Sequence, residues 1–239
     1  MAESSLLFKQ ENAAGWILFE DNHCLAFNKP PGLLTQGVPD GLPALEHIAR
    51  EYLRTRYLKT GRVYLGIPHR IDRPVSGVVL FTRSSKAAAR VAEQFRERTV
   101  KKIYHAWLAN MDGDEILPDS LWLDQIRKVP DKAHAEKCKV TDPGAREAIT
   151  HCRVLQRQND RTLVELSPAT GRMHQLRLQA SLRGTPILGD VLYGAGPIPS
   201  PEGLSLIALH ARSLTFLHPI RYEPITLEAP HPPHFPPLQ

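Results

Sequence analysis

The chain has 239 residues, of which 42% are hydrophobic and 23% charged, values typical of a soluble globular protein. Its length favours one domain, with two lobes as the alternative. The formal net charge of +5 indicates a polyanionic partner, without choosing between nucleic acid, an acidic membrane and a phosphorylated metabolite.

The cysteine pattern and the lack of long apolar segments indicate the cellular compartment of the protein. Cys24, Cys138 and Cys152 are odd in number and widely spaced, which predicts neither a disulfide framework nor a zinc site. The N-terminus has no long apolar segment, and no run of about 18 apolar residues occurs anywhere in the sequence. We therefore expect a cytoplasmic protein without membrane association.

The first predicted elements in chain order are a short N-terminal arm and a hairpin. Residues 16–19 and 24–27 are predicted strands around a polar turn, and they lead into a rigid loop with the sequence KPPG. Lys29 in this loop is predicted to meet a phosphate, with a solvated loop lysine as the alternative. Helical spacing of apolar residues predicts a helix over 44–57.

Residues 68–77, with the sequence PHRIDRPVSG, form a charged loop directly before the apolar run 78–81, a predicted buried strand. Asp72 is flanked by Arg70 and Arg73, and a nearby guanidinium favours the ionised carboxylate at neutral pH. The local pattern indicates either a catalytic carboxylate or an Asp–Arg pair that closes a turn.

A cation-rich helix is predicted next, with Ser84 or Ser85 as its N-cap. Six cations lie on its outer side and just beyond its end: Lys86, Arg90, Arg96, Arg98, Lys101 and Lys102. This basic cluster is either an electrostatic footprint for a phosphate backbone or an ordinary solvated helix face. A strand over 103–109 follows, with Tyr104, Ala106 and Leu108 on one face.

The remaining chain alternates polar segments and short elements. Residues 111–148 are predicted to form loops and short hairpins, and strands are predicted at 150–155, 161–166, 205–210 and 213–217. The proline-rich end, 229–239, is predicted to be an extended tail.

One predicted helix, after TGR at 170–172, has Arg177 on its apolar face. A buried arginine needs an anionic partner, because an unpaired buried charge is very costly. Asp72 is the candidate partner, and a different carboxylate or snorkelling to water are the alternatives.

Several catalytic patterns are missing from the sequence. It has no Gly-rich phosphate loop, no zinc pattern and no GxSxG elbow, so no nucleotide or metal cofactor and no serine hydrolase is predicted. No spacing supports Asp72 and Asp190 as a glycosidase pair. An activated aspartate, arginines, a tyrosine on a strand and a basic surface suit one carboxylate acting on an anionic polymer.

Five blocks of the sequence resemble the RluA-type RNA pseudouridine synthases. HRIDRPVSGVVLF is similar to the family signature, HRLD followed by a short variable step and SG. EDNHCLAFNKPPGLL resembles the first hairpin and KP-G loop, and KKIYHAWL the K-x-Y strand. TGRMHQLRLQASLRGTPILGDVLYG resembles the TGR-x-HQ-I/L-R block, and LHARSLTFLHP the closing strands. The blocks follow the family's order over about residues 16–230.

The resemblance implies an α+β pseudouridine synthase fold in a single catalytic domain over residues 1–239. A mixed, largely antiparallel sheet is expected, with flanking helices and loops around a central catalytic cleft. The implied reaction isomerises a uridine in structured ribosomal or transfer RNA: the base leaves the ribose at N1, turns and rejoins through C5. No cofactor or metal is implied, and we expect a monomer whose partner is RNA.

The resemblance also implies roles for single residues. Asp72 matches the essential aspartate, which acts covalently or by proton transfer; Tyr104 matches the tyrosine that stacks on the target base. Arg177 matches the arginine paired with the catalytic carboxylate, and Arg70 the arginine that fills the space of the flipped nucleotide. A base in structured RNA must be extruded to be reached, and such side chains offset the lost stacking. Further substrate contacts are predicted at Lys29, Arg73, Arg172 and His174.

The sequence departs from the family pattern at two positions. Val75 stands where many members have Thr, and Gln179 replaces a common histidine. The N-terminal arm is too short for an S4 RNA-binding domain, so we expect substrate choice to come from the catalytic domain or a partner. A catalytically silent RNA-binding protein and an enzyme acting on a free nucleoside or glycoside are the alternative functions.

Overall fold

Ten strands and three α-helices are present in the computed structural model, which describes residues 10–37, 44–110, 118–158, 160–200 and 203–236. The strands are β1 (Ile17–Glu20), β2 (Cys24–Lys29), β3 (Ser76–Thr82), β4 (Lys101–Ala109), β5 (Asp119–Lys128), β6 (Ala135–Lys137), β7 (Arg146–Arg157), β8 (Arg161–Pro168), β9 (Leu209–Leu217) and β10 (Pro224–Glu228). The helices are α1 (Leu45–Arg56), α2 (Ser85–Arg96) and α3 (Gln175–Ser181), and short 3₁₀ segments span Gln10–Trp16 and Val191–Tyr193.

The chain divides into two compact units. The first lies within Met1–Val100, Pro201–Leu204 and Ala211–Pro232, and the second within Lys101–Ser200, Ser205–His210 and Pro233–Gln239. Both combine helix and strand, so the fold class is α+β, as predicted. The predictions of a single domain and of a central cleft stay predictions.

In the first unit, β3 is the central strand. It pairs antiparallel with β2, which pairs antiparallel with β1, while β9 is its other neighbour and carries β10 antiparallel. All seven residues of β3 are buried, because its alternate side chains pack on both faces of the sheet. Val78 and Leu80 pack with Val91 of α2, whereas Phe81 meets Phe27 edge to face on the opposite side.

In the second unit, the strands follow the order β4-β8-β7-β5-β6, and each neighbouring pair is antiparallel. One core cluster contains Trp107, Leu163, Ala208 and Phe235. Leu178 of α3 belongs to a second cluster beneath β5, β6 and β7. A parallel bridge also joins Leu34 and Ala44 in the first unit. The pairing of the strands is therefore mixed but mostly antiparallel, as predicted.

Several local predictions are confirmed. The first hairpin forms as β1 and β2, and helices form over most of 44–57 and after Ser84. Ser84 is the N-cap of α2, because its side chain accepts a hydrogen bond from Ala87 N at 3.2 Å. The strands predicted at 103–109, 150–155 and 161–166 lie within β4, β7 and β8.

Other local predictions are wrong. Residues 205–208 belong to no strand, β9 runs unbroken through the gap predicted at 211–212, and β10 had not been predicted. Within 111–148, the described residues include the ten-residue strand β5 rather than only loops and short hairpins. The proline-rich end has no helix or strand in its described residues, as expected, but it is not simply an extended tail, because Phe235 is buried against Trp107. The N-terminal arm lies largely outside the described residues.

None of the helices in the described part of the chain is long and apolar enough to span a membrane.

Candidate active site

Asp72 lies on the loop that leads into β3, and backbone hydrogen bonds fix the chain on both sides of it. Val75 N donates to Asp72 O at 3.1 Å, which closes a turn. Gly32 N donates to Arg73 O at 2.8 Å, and Arg73 Nε donates back to Gly32 O at 3.0 Å. The backbone therefore closes the turn, and Arg73, a predicted substrate contact, uses part of its guanidinium to join this loop to the KP-G loop.

Lys29 holds the same two loops together from below the surface. Its side chain is fully buried, and Nζ donates to the carbonyls of Pro30, Leu33 and Arg73 at 2.9, 2.7 and 3.2 Å. These bonds occupy all three donors of an ammonium group. Neither the predicted phosphate contact nor the solvated alternative fits this geometry, because water and phosphate cannot reach Nζ.

Burial also changes the protonation of Lys29. It lowers the pKa of Lys29 to about 7, and the neighbouring Asp72 carboxylate acts in the opposite direction by favouring the ammonium. Lys29 therefore lies within electrostatic reach of Asp72. The sequence pattern KPPG did not reveal the burial of Lys29, because a lysine beside two prolines in a loop is more often exposed.

His69, at the start of the HRID motif, attaches the Asp72 loop to β3. Its Nε2 accepts a hydrogen bond from Leu80 N at 2.8 Å, and its ring stacks on Phe95 of α2 with 4.8 Å between centroids. An accepting Nε2 requires the neutral imidazole, with the proton on Nδ1. His69 therefore has a structural role, and it supports the loop that carries Asp72.

Arg70 and Tyr104 are the residues predicted to replace and to stack on the flipped base. Arg70 is exposed on the Asp72 loop. Tyr104 is half-buried on β4, where its Cα lies opposite Leu166 of β8. Ala106 and Leu108 are buried further along β4, two and four residues on, which is the spacing of one face of a strand.

The basic cluster is only partly free to meet phosphates. Arg96 forms an ion pair with Glu93, and Arg90 donates to Pro219 O at 2.6 Å with its guanidinium over the ring of Tyr222. These contacts compete with phosphate binding at two of the six positions. An electrostatic footprint built on the other four stays a prediction.

Arg177 is buried on α3 and forms a bidentate ion pair with Asp190. Nε donates to Oδ2 at 2.6 Å, and Nη2 donates to Oδ1 at 2.7 Å. The ring of Tyr193 lies against the guanidinium, with Cζ 5.1 Å from the ring centroid. The anionic partner expected for the buried Arg177 is therefore present as a different carboxylate, Asp190. The predicted pairing of Arg177 with Asp72 stays a prediction.

Two further predicted contacts, Arg172 and His174, lie at the start of α3. His174 has a left-handed backbone with φ of 50°, and its Nδ1 is 3.0 Å from Tyr193 Oη. Arg172 is half-buried, and its Nε donates to Glu147 O at 3.1 Å. Gln175 braces this turn, since its Oε1 accepts from Arg172 N at 3.0 Å. Both predicted residues are therefore held in fixed positions beside α3.

Gln179 explains one departure from the family pattern. Its Nε2 donates to Trp122 O, Asp124 Oδ2 and Ala148 O, and its Oε1 accepts from Thr150 Oγ1 at 2.7 Å. The side chain is fully buried, so the amide joins α3 to β5 and β7. A neutral imidazole has one donor and one acceptor, and it could not make this set of contacts.

Among the described residues, one group of three could offer ligand atoms to a metal: Asp21, Cys24 and His218. Asp21 Oδ2 and His218 Nε2 are 2.8 Å apart, while His218 Nδ1 accepts from the backbone N of Ile220 and Arg221. Burial raises the pKa of the Cys24 thiol to about 12. Asp21 and His218 already bond to each other and to the backbone, so they join the turn after β1 to the turn after β9.

The predicted site residues fall into two groups, one in each unit. Lys29, Arg70, Asp72 and Arg73 belong to the first unit; Tyr104, Arg172, His174 and Arg177 belong to the second. Sequence reasoning missed two supports: Thr35, whose hydroxyl bonds the backbone N and O of Ile71, and Tyr193, whose ring packs against Arg177. It weighed Asp190 only as a glycosidase carboxylate. The one available signal was the buried arginine on α3, which required a carboxylate.

Residues 23–182 match the family model described as RNA pseudouridylate synthase. The chain belongs to this family. The match covers β2, the Asp72 loop, β4 and α3 with the turn before it, which together hold all eight predicted site residues. The protein is thus an RNA pseudouridine synthase, an isomerase whose substrate is RNA.

Curated relatives place the synthase in the RluA type. It is 30% identical over 234 residues to the ribosomal large subunit pseudouridine synthase C of Vibrio vulnificus, covering 96% of this chain and 70% of the relative. It is 34% identical over 220 residues to the dual-specificity RNA pseudouridine synthase RluA of Haemophilus influenzae, covering 89% and 91% of the two chains.

A solved structure shares the fold of the synthase. Human RNA pseudouridylate synthase domain containing 4 superposes with a TM-score of 0.77 at 24% identity, over 98% of this chain and 94% of that one. The predicted pseudouridine synthase fold is therefore confirmed.

Proposed function

We propose that the synthase converts specific uridines of structured ribosomal or transfer RNA to pseudouridine, with Asp72 as its catalytic aspartate. The names of the relatives support this substrate class, because one acts on the ribosomal large subunit and another has dual specificity. We further propose that the synthase is a monomer and that it is cytoplasmic. The cytoplasm is a reducing compartment, which suits the free thiols of Cys24, Cys138 and Cys152.

The observation that carries the assignment of Asp72 is the construction of its loop. Backbone and side-chain bonds hold the residues before and after Asp72, and the buried Lys29 side chain lies within electrostatic reach of its carboxylate. A reactive carboxylate needs such a fixed loop, because catalysis depends on a group that is already in position.

The proposed reaction rearranges bonds without net gain or loss of atoms. The N1–C1′ bond of the target uridine breaks with participation of the Asp72 carboxylate, at the sugar or at the base. The detached uracil turns, C5 bonds to C1′, and the C5 hydrogen leaves as a proton that is replaced at N1 from solvent. No electron carrier or metal takes part in this balance.

Six other residues have proposed roles in this scheme. Tyr104 stacks on the target base and assists removal of the C5 proton, and Arg70 occupies the space that the extruded nucleotide leaves. Arg177 pairs with the catalytic carboxylate, which favours its ionised form. Arg73, Arg172 and His174 are proposed to contact the RNA chain near the extruded nucleotide.

The test is release of tritium from RNA labelled at uridine C5, because each new C–C bond must expel that hydrogen. Ribosomal and transfer RNA from cells that lack the synthase would be incubated with wild type, Asp72→Asn and the control Asp160→Asn. Asp160 is suited to this control because its side chain is 80% exposed and lies outside the proposed site.

We expect release by wild type and by Asp160→Asn, and none by Asp72→Asn. RNA affinity of Asp72→Asn should stay within about tenfold, or about 1.4 kcal/mol, since the change removes charge but almost no volume. Near-wild-type release by Asp72→Asn would overturn the catalytic assignment. Release by no variant from either RNA, with salt-dependent RNA binding intact, would favour a silent RNA-binding protein.

A further inference from the structure

Asp190 binds Arg177, and the proposed reaction gives Asp190 no role. Its carboxylate accepts both Nε and Nη2 of Arg177, and both side chains are buried. A bidentate carboxylate fixes the plane of a guanidinium as well as its position. The contact uses two of the five donors of the group and leaves the Nη1 edge to other acceptors.

The backbone around Asp190 is built to hold this carboxylate in one place. Gly189, directly before it, has φ of +84°, and a Cβ there would lie 2.3 Å from Leu206 O. Asp190 N donates to Ile187 O at 3.0 Å, and Asp190 O accepts from Tyr193 N at 3.0 Å. Asp190 therefore enters the core on a tight turn that tolerates little movement.

Tyr193 supports one face of the Arg177 guanidinium, whose edge Asp190 binds. Its ring packs against Arg177, and its hydroxyl accepts from Ala135 N at 2.9 Å and lies 3.0 Å from His174 Nδ1. A cation over an aromatic ring gains stability when it is desolvated, as Arg177 is here. Carboxylate and ring together restrict both the position and the rotation of the guanidinium.

We propose that Asp190 is a positioning residue of the pseudouridine synthase reaction: it holds the Arg177 guanidinium in one orientation and offsets part of its charge, with the Tyr193 ring as second support. The inference rests on the proposed function, in which Arg177 is the partner of the catalytic carboxylate. A buried ion pair is poor evidence for stability as such, because desolvation offsets much of its attraction. A role in orientation accounts for the rigid turn, the bidentate geometry and the ring together.

The test compares Asp190→Asn with Asp124→Asn in single-turnover tritium release, with each enzyme in saturating excess over the RNA. Asp124 is a matched control, because its Oδ2 accepts from Arg183 Nη1 at 2.9 Å in another ion pair of the same unit, and its side chain is nearly buried. Circular dichroism reports the fraction of folded enzyme, and the rate constant at saturating enzyme reports the chemistry of that fraction.

A positioning residue changes the rate constant, whereas a purely structural residue changes only the folded fraction. We expect the rate constant of Asp190→Asn to fall at least about tenfold, towards the roughly 100-fold that a displacement of about 1 Å can cost. Its RNA dissociation constant and the rate constant of Asp124→Asn should stay within about twofold of wild type.

A rate constant of Asp190→Asn within about twofold of wild type would overturn the inference, whatever the folded fraction. If Asp190→Asn does not fold, Asp190→Glu decides, because it keeps the charge but lengthens the side chain and disturbs the bidentate contact. A wild-type rate constant in Asp190→Glu would then count against positioning, and a reduced one would support it. Absence of release by wild type itself would refute the proposed function instead.

Discussion

The hydroxyl of Thr35 binds both backbone polar groups of Ile71, the residue directly before Asp72. Thr35 Oγ1 donates to Ile71 O at 2.9 Å and accepts from Ile71 N at 3.2 Å. Both residues are buried, so water cannot replace either bond. One side chain from the loop after β2 therefore fixes the chain at the catalytic candidate.

Thr35→Val should destabilise the protein and slow its reaction. The substitution keeps the shape but leaves a buried N–H and a buried C=O without partners, at a cost of about 2–4 kcal/mol. Urea unfolding would measure the loss, and single-turnover tritium release should show a lower rate constant. Thr82→Val is the control: among the described residues the buried Thr82 hydroxyl has no hydrogen-bond partner, so stability should be unchanged or higher. Equal effects of the two substitutions would contradict the prediction.

Lys29 should make the stability of the protein depend on pH. Burial lowers the pKa of Lys29 from 10.5 to about 7, so between these values the unfolded chain binds a proton that the folded chain has released. Stability then rises with pH in this interval. From pH 7 to pH 9, the free energy of unfolding of wild type should rise by about 2 kcal/mol relative to Lys29→Met.

Denaturant unfolding at several pH values would measure this difference. Below about pH 6 the curves of wild type and Lys29→Met should run parallel, since Lys29 is then protonated in both the folded and the unfolded chain. Lys59→Met, at an exposed position of the same unit, keeps Lys29, so its free energy of unfolding should rise with pH as that of wild type does. Parallel curves for wild type and Lys29→Met across pH 7–9 would refute the prediction.

Gly77→Ala should strongly destabilise the first unit. Gly77 has φ of +114°, and a Cβ there would lie 2.2 Å from Ala211 O on the neighbouring strand β9. Left-handed strain and steric overlap together should cost about 3 kcal/mol or more. Gly61→Ala serves as control, because nothing lies within 4 Å of its added Cβ, and thermal unfolding would compare the two. A similar midpoint for both variants would show that β3 and β9 can move apart.

Phe235→Ala should destabilise the second unit by about 3–5 kcal/mol, the usual cost of removing a buried aromatic side chain. Phe235 packs with Trp107, whose Nε1 donates to Pro236 O at 3.1 Å. Unfolding followed by tryptophan fluorescence would report the change. Pro233→Ala, at an exposed position nearby, should have little effect. A loss below about 1 kcal/mol for Phe235→Ala would support the extended tail that composition predicted.

Local sequence patterns predicted much of the secondary structure and the family. The first hairpin, α1, α2 and β3 follow from apolar spacing, a polar turn and the Ser84 cap, which act over a few residues. Segments with weak local patterns were less predictable. β9 and β10 stabilise each other through pairing, and nothing in residues 224–228 alone predicts a strand.

The sequence by itself determined the charged loop before a buried strand, the class of the fold and the likeness to the pseudouridine synthases, because these reside in contiguous motifs. Only the tertiary structure decided the environment of Lys29, the carboxylate partner of Arg177 within its unit and the burial of Phe235. Each of these depends on a residue distant in the chain: Arg73 for Lys29, Asp190 for Arg177 and Trp107 for Phe235. Burial and pairing of this kind arise from packing, which no local pattern encodes.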